Sequence, residues 1–519
     1  MNSESVYLSA VSDTQWAPQG LHDALAAQES NLITDIEALV SIPSMADMSK
    51  AEPGAPFGRP VRDALDYMTR RAKALGLRPY TDPSGAYAYA DIGKGPKVIL
   101  VPVHLDVMPG GDPSNWFTGD PFKFDIRTHP QTRQRAMFGR GVVDDKGPAV
   151  MVLYAAAMLV GLKLNRDVRI RIAFFSDEER GKWDVDVKSY LEKEGYPALA
   201  LVPDANFPYV IERDIIATEL SGLGNPLPRS VAARNGIKIE SLSTGDNRQN
   251  QVPDRVTAEI SAPKKSQLEE LLRVLSNALH ERVVFSAITR DNGSSRVTVT
   301  VKGQAVHARK AWEGINAVQI LAQALTGVRM ADTPSARVIH FIQTQIGYGW
   351  EGSDLLGIES MPRKTHGEQS FNIGVVDTNL EGARLVVDNR VRIQASRAET
   401  LQGWQNIAQR AGMQCKKTME LPGITPRADH PALPVLMTSV RRAFNKPMTP
   451  PIEGGGTYAR AFKKPDDPDQ LSIAYGPLPK GHPETEHQPN EFMGMQCFRA
   501  GLQTYLNTFH AATMGRSII

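Results

Sequence analysis

The chain has 519 residues, with 41% hydrophobic, 22% charged and 7% aromatic side chains, and a formal net charge of +2 at pH 7. This balance excludes a disordered, collagen-like or coiled-coil chain and offers no field that would draw nucleic acid or an acidic membrane. The two cysteines, Cys415 and Cys497, make no CxxC pair, which excludes a disulfide scaffold and points to a reducing cytoplasm.

The opening residues, MNSESVYLSAVSDTQW, lack a basic start followed by an apolar run, so no signal peptide is expected. No stretch approaches the roughly 18 apolar residues of a membrane span. The length predicts about two to four domains. Residues 21–42 read as an amphipathic helix and 61–75 as a second one ending at Gly76, with AEPGAPFGR between them as a loop. Buried-strand signals follow, each leading into polar residues. VILVPV (98–103) runs into His104, VRIRIAFF (168–175) into SDEE, and ALALV (198–202) into Pro203 and Asp204. The apolar stretch 148–160 suits a buried helix between the first two. Apolar strands alternating with helices predict an α/β catalytic domain with a mainly parallel sheet flanked by helices.

From about residue 214 the texture changes. A charged helical segment, KKSQLEELLRVLSNALHERV, precedes a strand with Val297, Val299 and Val301 in period-two alternation. A helix over 315–328, the strands SFNIGVV and ARLVVDNRVRI, and a helix over 399–411 complete an α+β unit with a partly exposed antiparallel sheet. After about residue 425 the first texture returns with LSIAYGP and a closing helix from about 493 to 509. The expected plan is a catalytic domain of 1–213 and 426–519, with an inserted α+β lid domain at 214–425.

Several stretches put acids or a histidine directly after an apolar run, where open α/β sheets bind ligands. His104 and Asp106 are two apart and point to one face of an extended chain, the arrangement in which an acid orients an imidazole for a metal. GRGVVDDKG places Asp144 and Asp145 among glycines; SDEERG places Asp177, Glu178 and Glu179 after a strand; VPDANFP places Asp204 after another. GHPETEHQPNEF offers His482 and His487. Singly, these read as solvated turns, a helix N-terminus or surface histidines. Jointly, they form a hard-to-borderline ligand set suited to zinc. Two divalent ions beside Asp144, Glu179 and Asp204 reach neutrality with one bridging hydroxide. A further carboxylate there could move the water's proton to a leaving amine, and Glu178 is the obvious candidate.

The chain resembles the dinuclear zinc peptidases that include aminoacylase, carboxypeptidase G and acetylornithine deacetylase, and among them the dipeptidase V branch most. The resemblance rests on VHLDVMPGG, GRGVVDDKGP, SDEERG, VPDANFP, GQAVHA, GINA, GGGTYAR and TEHQPNEF, in that order over nearly the whole chain. It implies that Asp144 bridges two zinc ions, for which cobalt or manganese are substitutes. His104 and Asp204 then hold one ion, and Glu179 and His487 the other. Glu178 is general base and then general acid, and Asp106 orients His104. In the inserted domain, the resemblance makes His307 a donor to the oxyanion, worth about 3 kcal/mol of barrier. It makes Arg390 the grip on a substrate carboxylate through its bidentate fork, with Arg392 on the same strand face as a competitor for that role. Gly454, Gly455, Gly456 and Thr457 read either as a stretch where backbone approaches the substrate closely or as an ordinary turn. VMPGG departs from a more usual double valine, and NEF from a more usual acidic ending.

Gly347, Gly349 and Gly352 satisfy G-x-G-x-x-G, but the polar SDLLGIESMP after them is a poor dinucleotide helix; no GxSxG, HExxH or P-loop is present. The function expected is a cytoplasmic zinc dipeptidase acting on dipeptides or very short peptides, as a monomer or homodimer. A deacylase or aminoacylase using the same site on N-acyl amino acids is the alternative, and a non-catalytic binding protein that keeps the fold is a second.

Overall fold

The computed structural model describes residues 16–291, 293–359, 361, 366–514 and 518–519, so the reading of the first 15 residues lies outside the described ones. The chain divides into two units, one of Met1–Ile211, Ile424–Pro451 and Gly456–Ile519, the other of Glu212–Gly423 and Ile452–Gly455. The changes of unit fall at Ile211/Glu212 and Gly423/Ile424, against an expected insertion of 214–425, and the brief return at Ile452–Gly455 was not expected.

The first unit is built on a six-stranded sheet. In spatial order its strands are Arg78–Thr81, Ala88–Gly93, Val168–Phe175, Lys97–His104, Leu199–Val202 and Leu471–Ala474. The last four are mutually parallel and the first two pair antiparallel at one edge. Their Val, Ile and Leu runs are almost wholly buried, as a sheet covered on both faces requires. Pro102 sits in a central strand at no cost to one neighbour, because pairing with Leu199–Val202 involves only Ile99 and Leu100. The helix Lys146–Ala157 is buried along its whole length, matching its uninterrupted apolar sequence.

The helix expected over 21–42 is two helices, Gln19–Ala27 and Glu29–Val40, interrupted at Gln28 with φ −88° and ψ 0°. The next helix, Arg59–Ala74, starts with Pro60 in its first turn and stops before Gly76, whose φ of 86° is open to glycine and strained for other residues. Ala432–Phe444 is a helix that periodicity did not reveal.

The second unit holds a nine-stranded antiparallel sheet with helices including Lys265–Leu279, Ala317–Ala324 and Arg397–Arg410. Ser294–Lys302 buries every second residue, as its alternation predicts. The helix expected over 315–328 is shorter, because the Asn316 side chain caps its start and it ends at Ala324. Pro334–Phe341, which continues into a π-helical turn at Ile342–Ile346, was not foreseen. The G-x-G-x-x-G glycines lie after that turn, ahead of a four-residue helix, Ser353–Leu356, far too short for a dinucleotide fold. Among the described residues, no helix is long and apolar enough to cross a membrane.

Candidate metal centre

Parallel strands deliver their carboxyl ends to one edge of the sheet, and this gathers the site. His104 ends its strand in register with Phe175, so the following Ser176–Glu179 turn lies beside it. Asp204 follows the neighbouring strand Leu199–Val202 by two residues. The loop before the buried helix brings Asp144, and the Asp145 carboxylate ties that loop to the strand end by accepting from the His104 N–H (3.2 Å). Gly141 in this loop has φ 91°, and a Cβ there would lie 2.9 Å from Lys146 Cδ, so only glycine fits.

Two ligand groups result, His104, Glu178 and Asp204 in one, and Asp144, Glu179 and His487 in the other; within each, one donor atom per residue lies within 4.8 Å of the rest. Asp144 joins them. Its Oδ1 is 2.8 Å from His104 Nε2 and its Oδ2 is 3.0 Å from His487 Nε2, so the two oxygens of one carboxylate face two separate histidines. His487 Nε2 is also 2.9 Å from Glu179 Oε2, and His104 Nε2 is 4.0 Å from Asp204 Oδ2. His487 holds a left-handed backbone, φ 64°, that non-glycine residues adopt mainly where surroundings enforce it. His482 is not part of either group; its Nδ1 meets the Pro483 carbonyl and its ring packs on Phe492.

His104 Nδ1 pairs with the Asp106 main-chain oxygen (3.0 Å), and the Asp106 carboxylate stands 3.5 Å away. That carboxylate also accepts from the N–H groups of Glu178 (3.2 Å) and Glu179 (3.0 Å), so Asp106 fixes the SDEE turn as well as facing the imidazole. The turn is not a helix N-terminus.

The charges are unbalanced without cations. Burial pushes Glu178 up to about 8 and raises Asp204 well above the usual carboxylate range, with Asp144 adding to both. Burial likewise raises Glu179. Burial opposes the charge on Asp144, yet the two histidines hold its carboxyl low. Burial favours neutral His487, but Asp144 and Glu179 raise it to about 10. Burial lowers the nearby Lys146 to about 7, and its Nζ donates to the Ile42 carbonyl (2.6 Å). Oxygen and imidazole donors crowded in this way suit divalent cations.

A pH dependence follows for the chelator-treated protein. Glu178 ordinarily titrates at 4.5 and is lifted to about 8, so between those values the folded state keeps a proton that the unfolded chain has lost. His487 acts in the same sense between 6.5 and about 10. Thermal melting of the metal-stripped protein should therefore fall by several degrees from pH 6 to pH 8.5, and added zinc should restore it. A melting temperature that climbs over this range would contradict the charge assignment.

His307, Arg390 and Gly455 belong to the second unit, Gly456 and Thr457 to the first. His307 Nδ1 accepts from the Arg309 N–H (3.0 Å), which leaves the ring proton on Nε2, the donor form. Arg390 is buried, with Nε 2.6 Å and Nη2 3.0 Å from the two oxygens of Asp388, and Nη1 donating to the Gly454 carbonyl. Arg392 Nη2 donates to the Glu359 carbonyl. A Cβ at Gly454 would collide with Arg213 Nη2, and one at Gly456 would lie 2.5 Å from Arg460 Nε; these glycines make room for guanidinium groups. Thr457 caps the short helix Tyr458–Phe462 through its hydroxyl.

Residues 100–511 match Peptidase family M20/M25/M40. The chain belongs to this family. It is 28% identical to a Staphylococcus epidermidis protein named "Putative dipeptidase" over 492 residues, covering 93% of this chain and 97% of the other. A Bacillus subtilis protein named "Putative dipeptidase YtjP" is 26% identical over 474 residues, covering 90% and 94%. The fold is shared with aminoacylhistidine dipeptidase from Vibrio alginolyticus (TM-score 0.53, 15% identity, 94% of this chain and 97% of that one). It is also shared with human carnosine dipeptidase 1 (TM-score 0.52, 13% identity, 95% and 98%). As a member of this peptidase family, the chain is a peptide-bond hydrolase.

Proposed function

We propose that this M20-family enzyme is a dipeptidase that holds two zinc ions, with cobalt or manganese as working substitutes. The observation that carries the reading is Asp144, whose two oxygens reach His104 and His487 and so link two ligand groups around one carboxylate. In the proposed assignment Asp144 bridges, His104 and Asp204 complete one position, and Glu179 and His487 complete the other. Two divalent cations held there lower the pKa of a water and polarise the scissile carbonyl. Glu178 takes the proton of the attacking water on a carboxylate oxygen and passes it to the departing amine nitrogen. Its burial raises its proton affinity, which suits a base that must later act as an acid. Asp106 keeps Glu178 and Glu179 in place through their N–H groups and steadies His104.

The proposed roles of His307 and Arg390 are donation to the oxyanion and recognition of the substrate's terminal carboxylate. The Nε2–H form of His307 supports the first. A guanidinium held flat by Asp388 supports the second, since a fixed fork loses little freedom on gripping a carboxylate. Gly455, Gly456 and Thr457 are proposed to lie along the substrate backbone. The names of the relatives support dipeptides as substrates.

A panel of free dipeptides against N-acetyl amino acids tests the substrate assignment. The dipeptides are expected to give the higher kcat/KM by at least about tenfold, a difference of about 1.4 kcal/mol in barrier. A clear preference for the acetylated series would turn the assignment to an aminoacylase, and no hydrolysis of either would overturn both substrate assignments.

A further inference from the structure

The carboxylate of Glu491 is completely buried and meets four donors. Its Oε1 accepts from the N–H groups of Gly141 (3.0 Å), Val143 (2.9 Å) and Asp144 (3.2 Å), and its Oε2 from Arg140 Nη1 (2.8 Å). Successive backbone N–H groups turned toward one point make an anion-binding nest, and here the chain fills the nest with its own side chain. Arg140 is buried too, lying 5.3 Å from the centre of the Trp116 ring and donating to the Pro109 carbonyl (3.3 Å).

We propose that Glu491 is a positioning residue for the metal centre, acting through the backbone of the loop that presents Asp144. The inference rests on the two-metal reading. Glu491 stands four residues after His487 and grips the N–H of Asp144, so one carboxylate ties together the two segments that meet at 3.0 Å through His487 Nε2 and Asp144 Oδ2. Both segments need holding. His487 and Asn490 have φ of 64° and 61°, left-handed conformations that non-glycine residues keep only where their surroundings enforce them, and the glycines of the Asp144 loop are free to move unless something fixes them. Main-chain contacts hold this segment as well, since the strand Phe492–Gly494 pairs with Arg135–Phe138 and the Glu491 carbonyl accepts from Gly139 N–H. What the side chain adds is the placing of Asp144, on which both ligand groups rely.

Glu491→Gln tests this. The amide oxygen can still accept from the loop, but its NH2 faces the Arg140 donor, and the negative charge behind Asp144 is gone. The probe is zinc, titrated into EDTA-stripped full-length protein in competition with a chromophoric chelator, with circular dichroism as the check on folding. Removing a group that orients a metal ligand typically weakens binding about 10- to 100-fold. The zinc dissociation constant should rise by that factor while the circular dichroism spectrum is unchanged, and the visible spectrum of the cobalt-loaded protein should shift. Zinc affinity within about threefold of the parent would overturn the proposal. If Glu491→Gln does not fold without metal, Glu491→Asp replaces it: the charge stays but the carboxylate retreats by one methylene, and unchanged affinity there is equally fatal. A purely structural role would lower the unfolding midpoint of the stripped protein and leave both affinity and cobalt spectrum unmoved. If the unsubstituted protein binds no zinc, the two-metal reading falls together with this one. A variant that matches a two-metal parent overturns this one alone.

Discussion

Dialysis against excess EDTA should abolish dipeptide hydrolysis, and stoichiometric zinc, cobalt or manganese should restore it. The expected loss is about a thousandfold or more, because cation assistance is worth several kcal/mol and about 4 kcal/mol corresponds to that factor. The physical ground is the charge imbalance at the sheet edge. Asp204, Glu178 and Glu179 all hold protons more tightly than ordinary carboxylates because they are buried beside one another and Asp144. Cations displace those protons and convert mutual repulsion into coordination. Asp144→Ala should have the same effect by substitution, since it removes the oxygens that face His104 and His487 together. Elemental analysis of the purified variant should find less than one metal per chain where the parent is expected to hold two. Full turnover in EDTA by protein shown to contain no metal would end the two-metal reading.

Glu178→Gln should lower kcat by about 10²- to 10⁴-fold, the range for losing a general base, with metal content unchanged. The two halves of this expectation separate the roles of adjacent residues. Glu178 and Glu179 follow the same strand, and the Asp106 carboxylate holds both N–H groups, yet their side chains join different ligand groups. Glu179 lies 2.9 Å from His487 and is assigned to coordination. Glu178→Gln that loses metal would make Glu178 a ligand instead, and a variant with more than about a tenth of the parent rate would remove it from proton transfer. Glu179→Gln is the control, expected to lose metal and activity together.

Much of the centre was legible because of how parallel sheets work. An apolar run followed at once by His104, by Ser176–Glu179 or by Pro203–Asp204 announces a strand end, and adjacent parallel strands bring such ends together whatever the separation in sequence. His487 was not separable from His482 on this basis. Both sit in one Pro-rich loop, and only the folded loop turns His487 toward Asp144 and Glu179 while His482 packs on Phe492. Glu491 escaped attention altogether, since its partner Arg140 is 351 positions away and no local pattern marks a carboxylate that accepts from backbone. In the second unit the helix Pro334–Phe341, which runs on into a π-helical turn at Ile342–Ile346, was not foreseen either.

By itself, the order of residues determined which segments are buried, where strands end and which side chains there can bind a cation, because hydrophobic periodicity and residue chemistry are local properties. Tertiary structure alone decided that one carboxylate, Asp144, would turn its two oxygens to histidines on distant segments, and that the loop presenting it would be gripped by Glu491, 351 positions from Arg140. Those outcomes depend on distances of a few ångströms between parts of the chain far apart in sequence. Such distances are set by packing and hydrogen bonding of the whole unit, and no window of residues contains them.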